Sequence, residues 1–77
     1  MDSGKAQAEF AAGRLGEALV VPADEGNGWM VVLETVDGKQ LKLTDSSGHG
    51  KVYHTLDNAT EAAKAIGFDT VRVEEPF

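Results

Sequence analysis

The sequence contains no cysteine among its 77 residues. This absence excludes a disulfide framework, a thiolate nucleophile and a cysteine zinc site, so only histidine and carboxylate side chains remain as metal ligands. A structural zinc fold is therefore not expected. Because the chain is so short, one small domain, residues 1–77, is expected. Folding a chain of this size buries only about 60% of its unfolded surface, so its stability is expected to be low. Residues 1–16 are a candidate peripheral or flexible extension of that domain.

Long apolar runs are also absent. The longest uninterrupted run covers five residues, from Trp29 to Leu33, whereas a helix needs about 20 apolar residues to cross a bilayer. The sequence therefore predicts no membrane segment. The first residues, Met1 to Lys5, lack the basic start and the apolar region of a secretory signal, so a cytoplasmic location is expected.

Basic residues are few. Seven Lys and Arg stand against thirteen Asp and Glu, which gives a formal net charge of −6. The basic residues are scattered along the chain, whereas a protein that binds nucleic acid clusters Lys and Arg against the phosphates. Direct nucleic-acid binding is therefore not expected, and a basic protein is the better candidate partner. A charge of this size also serves solubility alone.

A β-hairpin is predicted in the middle of the chain. Residues 29–36 are rich in β-branched and aromatic side chains, which is typical of a strand. Residues 39–44 alternate apolar and polar side chains, as a half-buried strand requires. The dipeptide Asp37-Gly38 between them is a common hairpin turn.

The hairpin has two candidate registers. A two-residue turn would pair Val36 with Lys39, whereas a three-residue loop with Gly38 in the left-handed region would pair Thr35 with Lys39. The second register is preferred, because it places five apolar side chains on one face. These are Trp29, Val31, Leu33, Leu41 and Leu43.

A helix is predicted over residues 56–66. Thr55 is a good N-cap, and Gly67 supplies the left-handed residue that commonly ends a helix. Phe68 is expected to pack back on the last turn. Apolar residues recur at helical spacing and form one narrow stripe that can lie on the hairpin. They are Leu56, Ala59, Ala63 and Ile66.

Two strands and a second helix are predicted outside this centre. Residues 70–74 alternate again, with Val71 and Val73 directed inward. Residues 17–21 are a candidate strand, although a helix continuing to Leu19 competes with it. A helix over residues 5–15 would leave Phe10 outside its apolar stripe, which is formed by Ala8, Ala11, Ala12 and Leu15.

These elements predict an α+β fold, in which a small antiparallel sheet packs on the 56–66 helix. The first hairpin strand is apolar on its second face too, where it carries Met30, Val32 and Val36. A strand with two apolar faces is typically covered on both sides. The N-terminal segment or a second copy of the chain is expected to cover this face, so a homodimer is a candidate assembly.

Both histidines lie in one stretch, residues 45–54. A metal ion would need three converging ligands, and the available set is Asp45, His49 and His54. The glycine and serine content of the stretch instead favours a simple connection. A nucleophile at Ser46 or Ser47 would lack a third orienting group and an oxyanion hole. No catalytic residue, metal ligand or cofactor is therefore expected.

A set of interaction residues is predicted from Trp29, from the second apolar face of the hairpin strand and from the acidic residues between positions 57 and 75. Trp29 is the only tryptophan, and such aromatic residues concentrate interface energy when they are accessible. Its alternative role is a core residue at the start of a strand. The full set is Trp29, Met30, Val32, Val36, Asp57, Glu61, Asp69, Glu74 and Glu75.

Residues 29–74 resemble the small partition-associated proteins of bacterial plasmids and integrative elements, often called ParC-like. The resemblance covers 46 of 77 residues. It rests on the order of the elements and on capping and packing residues, namely Thr55, Leu56, Asp57, Ala59, Ala62, Ala63, Ile66, Gly67, Phe68, Val71 and Val73. It implies an accessory that acts through other proteins and has no catalytic residues.

The expected function is a non-enzymatic, cytoplasmic protein-interaction module, an accessory of a bacterial mobile element. One alternative is an acidic inhibitor that mimics phosphate charge and occupies the nucleic-acid groove of a basic host protein. The other is a metal-dependent enzyme that uses the histidine stretch.

Overall fold

A computed structural model describes residues 1–23 and 27–74. Over these residues the chain forms two helices and four strands, and the predicted α+β class is confirmed. In chain order the elements are α1 (Ser3–Ala11), β1 (Leu15–Pro22), β2 (Trp29–Thr35), β3 (Gln40–Lys42), α2 (Leu56–Ile66) and β4 (Arg72–Val73).

The four strands form one sheet in the order β3-β2-β1-β4. β2 is antiparallel to both of its neighbours, but β4 lies parallel to β1. The predicted antiparallel sheet is therefore wrong for its last strand. The helix α2 carries the chain back along the sheet, so β4 runs in the same direction as β3. β1 also runs in that direction, because β1 and β3 are both antiparallel to β2. β4 is therefore parallel to β1.

The preferred hairpin register is confirmed. Leu33 pairs with Leu41, and the N–H of Thr35 donates to the carbonyl of Lys39 at 2.8 Å. Gly38 has a φ of 94°, as the three-residue loop requires. Both strands are shorter than predicted, and Val36 lies in the turn.

The bounds of α2 agree with the prediction. The hydroxyl of Thr55 accepts from the N–H of Asn58 at 3.1 Å and caps the helix. The stripe faces the core, where Ala59, Ala63 and Ile66 are buried. This helix begins and ends where its own sequence signals place it.

The prediction for the first helix is wrong in its bounds and in its face. α1 begins after Asp2, whose carboxylate accepts from the N–H of Lys5 at 2.8 Å. It ends early because Gly13 adopts a φ of 76°. Ala6 is fully buried, so α1 belongs to the core and is not a peripheral extension. The predicted stripe is exposed at Ala8, Ala11 and Ala12.

Phe10 decides which face of α1 turns inward. Its ring meets that of Phe68 edge to face, with centroids 4.7 Å apart. A Cβ built on Gly67 would lie 2.5 Å from the Cδ1 of Phe10, so the close approach depends on glycine. The predicted apolar stripe does not include Phe10, because its partner Phe68, which follows the end of α2, is 58 positions away in the chain.

The candidate strand at residues 17–21 is confirmed as β1, and the competing helix is wrong. β1 lies between β2 and β4. Its residues Ala18 and Val20 are fully buried and pack with Val31 and Leu33 of β2 in the core cluster. Both helices contribute to the same cluster, so they cover the same face of the sheet.

The last strand is shorter than the predicted residues 70–74. Only Arg72 and Val73 form ladder pairs with β1. Val71 is half-buried against the core cluster, but Val73 is 37% exposed. The inward direction predicted for Val73 is therefore only partly realised, because β4 lies at the edge of the sheet.

Candidate functional site

The histidine stretch forms a tight turn closed by Asp45. One carboxylate oxygen of Asp45 accepts from the N–H of Ser47 at 2.9 Å, from its hydroxyl at 2.7 Å and from the N–H of His49 at 3.1 Å. The hydroxyl of Ser47 and then the N–H of His49 lower the pKa of Asp45 from its ordinary value, because they stabilise the carboxylate. The carboxylate of Asp45 therefore stabilises the turn by accepting hydrogen bonds within it.

The same turn brings Ser47 and His49 together. The Oγ of Ser47 lies 2.9 Å from the Nδ1 of His49, and both residues are exposed. The hydroxyl already donates to Asp45, so its proton is directed away from the imidazole. His54 lies beyond the turn, and no group of three or more His, Asp or Glu able to hold a metal ion is found in the described part of the chain.

The residues that follow this turn return to the sheet and contact two of the predicted interaction residues, Trp29 and Met30. Tyr53 and Trp29 exchange backbone hydrogen bonds of 2.8 Å in each direction, and Trp29 packs half-buried against the core. A Cβ on Gly50 would lie 2.7 Å from the Cε of Met30. Trp29 therefore packs against the core at the start of its strand, which was the alternative to an interface role. Met30 is buried under the returning segment.

The second face of the sheet, which carries Leu19, Val21, Met30 and Val32, lies opposite the two helices. The N-terminal segment does not cover it as expected, because α1 contributes to the helix side and β1 pairs with β2 edge to edge. Leu19 is nonetheless only 3% exposed. It lies beside Val32 and Arg72 in the register, and Glu17 and Glu34 form the next pair on the same face of the sheet.

Val36, the last of the four apolar residues in the predicted interaction set, is 69% exposed in the hairpin turn. It lines a groove of about 350 Å³ at the end of the hairpin. We call this site the hairpin-end groove. Its apolar residues are Met1, Leu15, Val36 and Leu41, and its charged residues are Glu9, Arg14, Asp37 and Lys39.

A β-bulge at Gly16 helps to build this groove. The register between β1 and β2 shifts between Leu15 and Glu17, and the extra residue turns Leu15 to the same face as Ala18. Leu15 thereby reaches the core cluster and the groove together. The glycine is a visible signal in the sequence, because a glycine inside a strand often marks a bulge.

The charges at the rim of the groove are satisfied locally. Arg14 pairs with Glu9 at 3.2 Å. The hydroxyl of Thr35 donates to Asp37 and lowers the pKa of that carboxyl below its ordinary value. Desolvation acts against this effect, and the nearby charge of Lys39 lowers the pKa further. A ligand that enters the groove therefore meets an apolar floor between two acids and two cations.

The predicted acidic residues are spread over the surface. Asp57 and Glu61 are exposed on α2, and Asp69 and Glu74 are exposed before and after β4. Glu75 lies outside the described residues. Arg72 interrupts this acidic series and lies 3.5 Å from Glu17.

Comparison with known proteins yields no relative. No protein-family model, no curated protein and no solved structure matches the chain. Within the described residues, neither helix has the length and apolar character needed to cross a membrane.

Proposed function

We propose that the chain is a non-enzymatic, cytoplasmic protein-interaction module that serves a bacterial mobile element as an accessory. The observation that carries this proposal is the hairpin-end groove. Val36 and Leu41 are large apolar residues, 69% and 37% exposed, and they line the same concave site. Apolar side chains gathered at an exposed concavity are typical of a docking site.

The groove fits a partner that inserts an apolar side chain. Its volume of about 350 Å³ falls at the lower end of ligand pockets, which span about 300–1,000 Å³. Burying the exposed surface of Val36 and Leu41 favours binding by about 25 cal/mol per Å². Because the rim acids already have partners, specificity rests mainly on the shape of the apolar floor.

The net charge of −6 favours a basic partner. Opposite charge speeds the encounter of two proteins more than it tightens their complex. The exposed carboxylates of Asp57 and Glu61 on α2 would contribute to this attraction. The resemblance of residues 29–74 to partition-associated proteins supports the accessory role.

The test uses two exposed valines. Proteins encoded beside this gene, above all partition or transfer proteins, are purified and titrated against the wild type, Val36→Ser and Val52→Ser by isothermal calorimetry. Val52 is 49% exposed and does not line the groove, so it is the matched control. We expect Val36→Ser to weaken binding at least tenfold and Val52→Ser to leave it within about twofold. If no neighbouring product binds, or both variants bind alike, the proposal is wrong.

The acidic-inhibitor alternative rests on a different observation, the exposed carboxylates of Asp57, Glu61, Asp69 and Glu74. Such an inhibitor would compete with DNA for a host nuclease, and its gene would lie in a phage-type operon. Inhibition of a neighbouring or host nuclease that is lost in Glu61→Lys but kept in Val36→Ser would favour this function over the first.

A further inference from the structure

The two edges of the sheet differ in how they are covered. Outside β3, the terminal amine of Met1 lies 3.4 Å from the carbonyl of Lys42, and the N–H of Thr44 donates to the carbonyl of Met1 at 2.8 Å. Asp2 and Thr44 add a parallel bridge. On the opposite side β4 ends the sheet, and no residue in the described ranges pairs with its outer edge.

The outer edge of β4 presents a backbone donor and acceptor at Val73. The N–H of Glu74 donates inward to the carbonyl of Val20 at 2.9 Å. Successive residues of a strand direct their N–H and C=O groups to opposite sides. Those of Val73 therefore face away from β1, beside a side chain that is 37% exposed.

The geometry points to a second copy of this chain as the occupant of that edge. Two β4 strands pair antiparallel about a two-fold axis through Val73, which joins the two four-stranded sheets into one. In this register Val73 faces Val73 of the second copy, and the two residues exchange both N–H···O bonds. Arg72 of each copy then lies directly opposite Glu74 of the other.

Charge selects this register over its neighbours. Centring the pair on Arg72 or on Glu74 would set like charges opposite each other, which destabilises a cross-strand pair. In either of those registers, the outward N–H and C=O of Val73 would also no longer lie opposite those of Val73 in the second copy. Arg72 can serve two acids, because a guanidinium has five N–H donors. It would lie between Glu17 of its own chain, now 3.5 Å away, and Glu74 of the second copy.

The dimer is expected to be weak and reversible. The paired segment spans residues 72–74, whereas a stable interface buries about 1,200–2,000 Å². Dimerisation through β4 leaves the hairpin-end groove free, because the groove has no residue on β4. The dimer is therefore independent of the proposed function, and either can fail without the other.

The first test removes the outward donor alone. In Val73→Pro the outward N–H is lost, whereas the inward bond of Glu74 to Val20 is kept, and proline is tolerated at an edge strand in this orientation. Sedimentation equilibrium of the full chain is measured from about 10 μM to 1 mM, a range suited to weak interfaces. We expect the wild type to rise from 8.1 kDa toward twice that mass and Val73→Pro to remain monomeric. A wild type that stays monomeric, or a dimer unaffected by Val73→Pro, would overturn the proposal.

The second test exploits the paired charges. Arg72→Glu and Glu74→Arg each place like charges opposite one another, so each variant alone should dissociate at least tenfold more readily. An equimolar mixture of the two variants restores opposite charges at both positions and should dimerise again. Lys5→Glu makes the same change in net charge as Arg72→Glu at an exposed site on α1 and should behave as the wild type. Failure of the mixture to associate would exclude the register.

Discussion

The two helices of this protein show two ways in which a helix is held. α2 buries three residues, Ala59, Ala63 and Ile66, and is capped by Thr55 and Gly67. α1 buries only Ala6 and holds a single ring contact, from Phe10 to Phe68. Both helices have an N-cap whose side chain accepts a backbone N–H. Packing, and not capping, therefore distinguishes them.

The largest expected effect breaks the packing of α2. Ile66→Ala should lower the free energy of unfolding by about 2–5 kcal/mol, as expected for a large apolar residue that is deleted from a core. Ile66 is only 5% exposed, and a domain of this size has a total stability of about 4–12 kcal/mol. Urea denaturation followed by circular dichroism measures the change, with Leu56→Ala as the half-buried comparison on the same stripe.

A smaller effect is expected for the ring contact of α1. Phe10 is half-buried against the core cluster, so Phe10→Ala should cost about 1–3 kcal/mol, below the roughly 3–5 kcal/mol of a fully buried phenylalanine. The same urea titration reports it. Were Phe10→Ala to cost as much as Ile66→Ala, the two helices would be equally anchored and the contrast between them would disappear.

The contact between the helices can be isolated at Gly67. Its φ of 139° disfavours any side chain, and a Cβ would meet the ring of Phe10. Gly67→Ala should therefore destabilise the protein by about 1 kcal/mol or more. In the Phe10→Ala background the steric part vanishes, so the same substitution should cost less by about 0.5 kcal/mol or more. An unchanged cost in this double-mutant cycle would mean that backbone strain alone requires glycine here.

The caps should have similar effects on the two helices. Thr55→Ala removes the acceptor for Asn58, and Asp2→Ala removes the acceptor for Lys5. Each should cost about 0.5–2 kcal/mol. Thermal unfolding of the two variants side by side tests whether capping is equal. A clearly larger loss for Asp2→Ala would show that α1 depends on its cap because it lacks packing.

The smallest effect concerns the turn that leads toward α2. The pKa of Asp45 is lowered in the folded chain, so its charged form contributes stability above the ordinary aspartate pKa of about 3.9. That contribution is lost as the pH falls through the lowered value. The melting temperature of Asp45→Asn should lie slightly below that of the wild type at pH 7, and the two should converge as the pH falls below the lowered pKa of Asp45. A difference that stays constant as the pH is lowered would assign the effect to geometry and not to charge.

The candidate site was only partly predictable from the sequence. The sequence marks Val36 because the second face of its strand is apolar and is expected to be covered, but Val36 is exposed and lines the hairpin-end groove. Leu41 was placed on the core face but is 37% exposed, because it lies close to the hairpin turn. Met1 and Leu15 reach the groove from the other end of the chain, a convergence that no local pattern contains.

The sequence by itself determined the elements whose signals are local. A cap and a glycine at the two ends set the bounds of α2, and the alternation around Asp37-Gly38 set the hairpin register. Only the tertiary structure decided the sheet order, the parallel pairing of β4 and the buried face of α1. Caps and turns act over three or four residues. The place of β4 and the face of α1 depend instead on contacts between distant segments, such as Val20 with Val73 and Phe10 with Phe68.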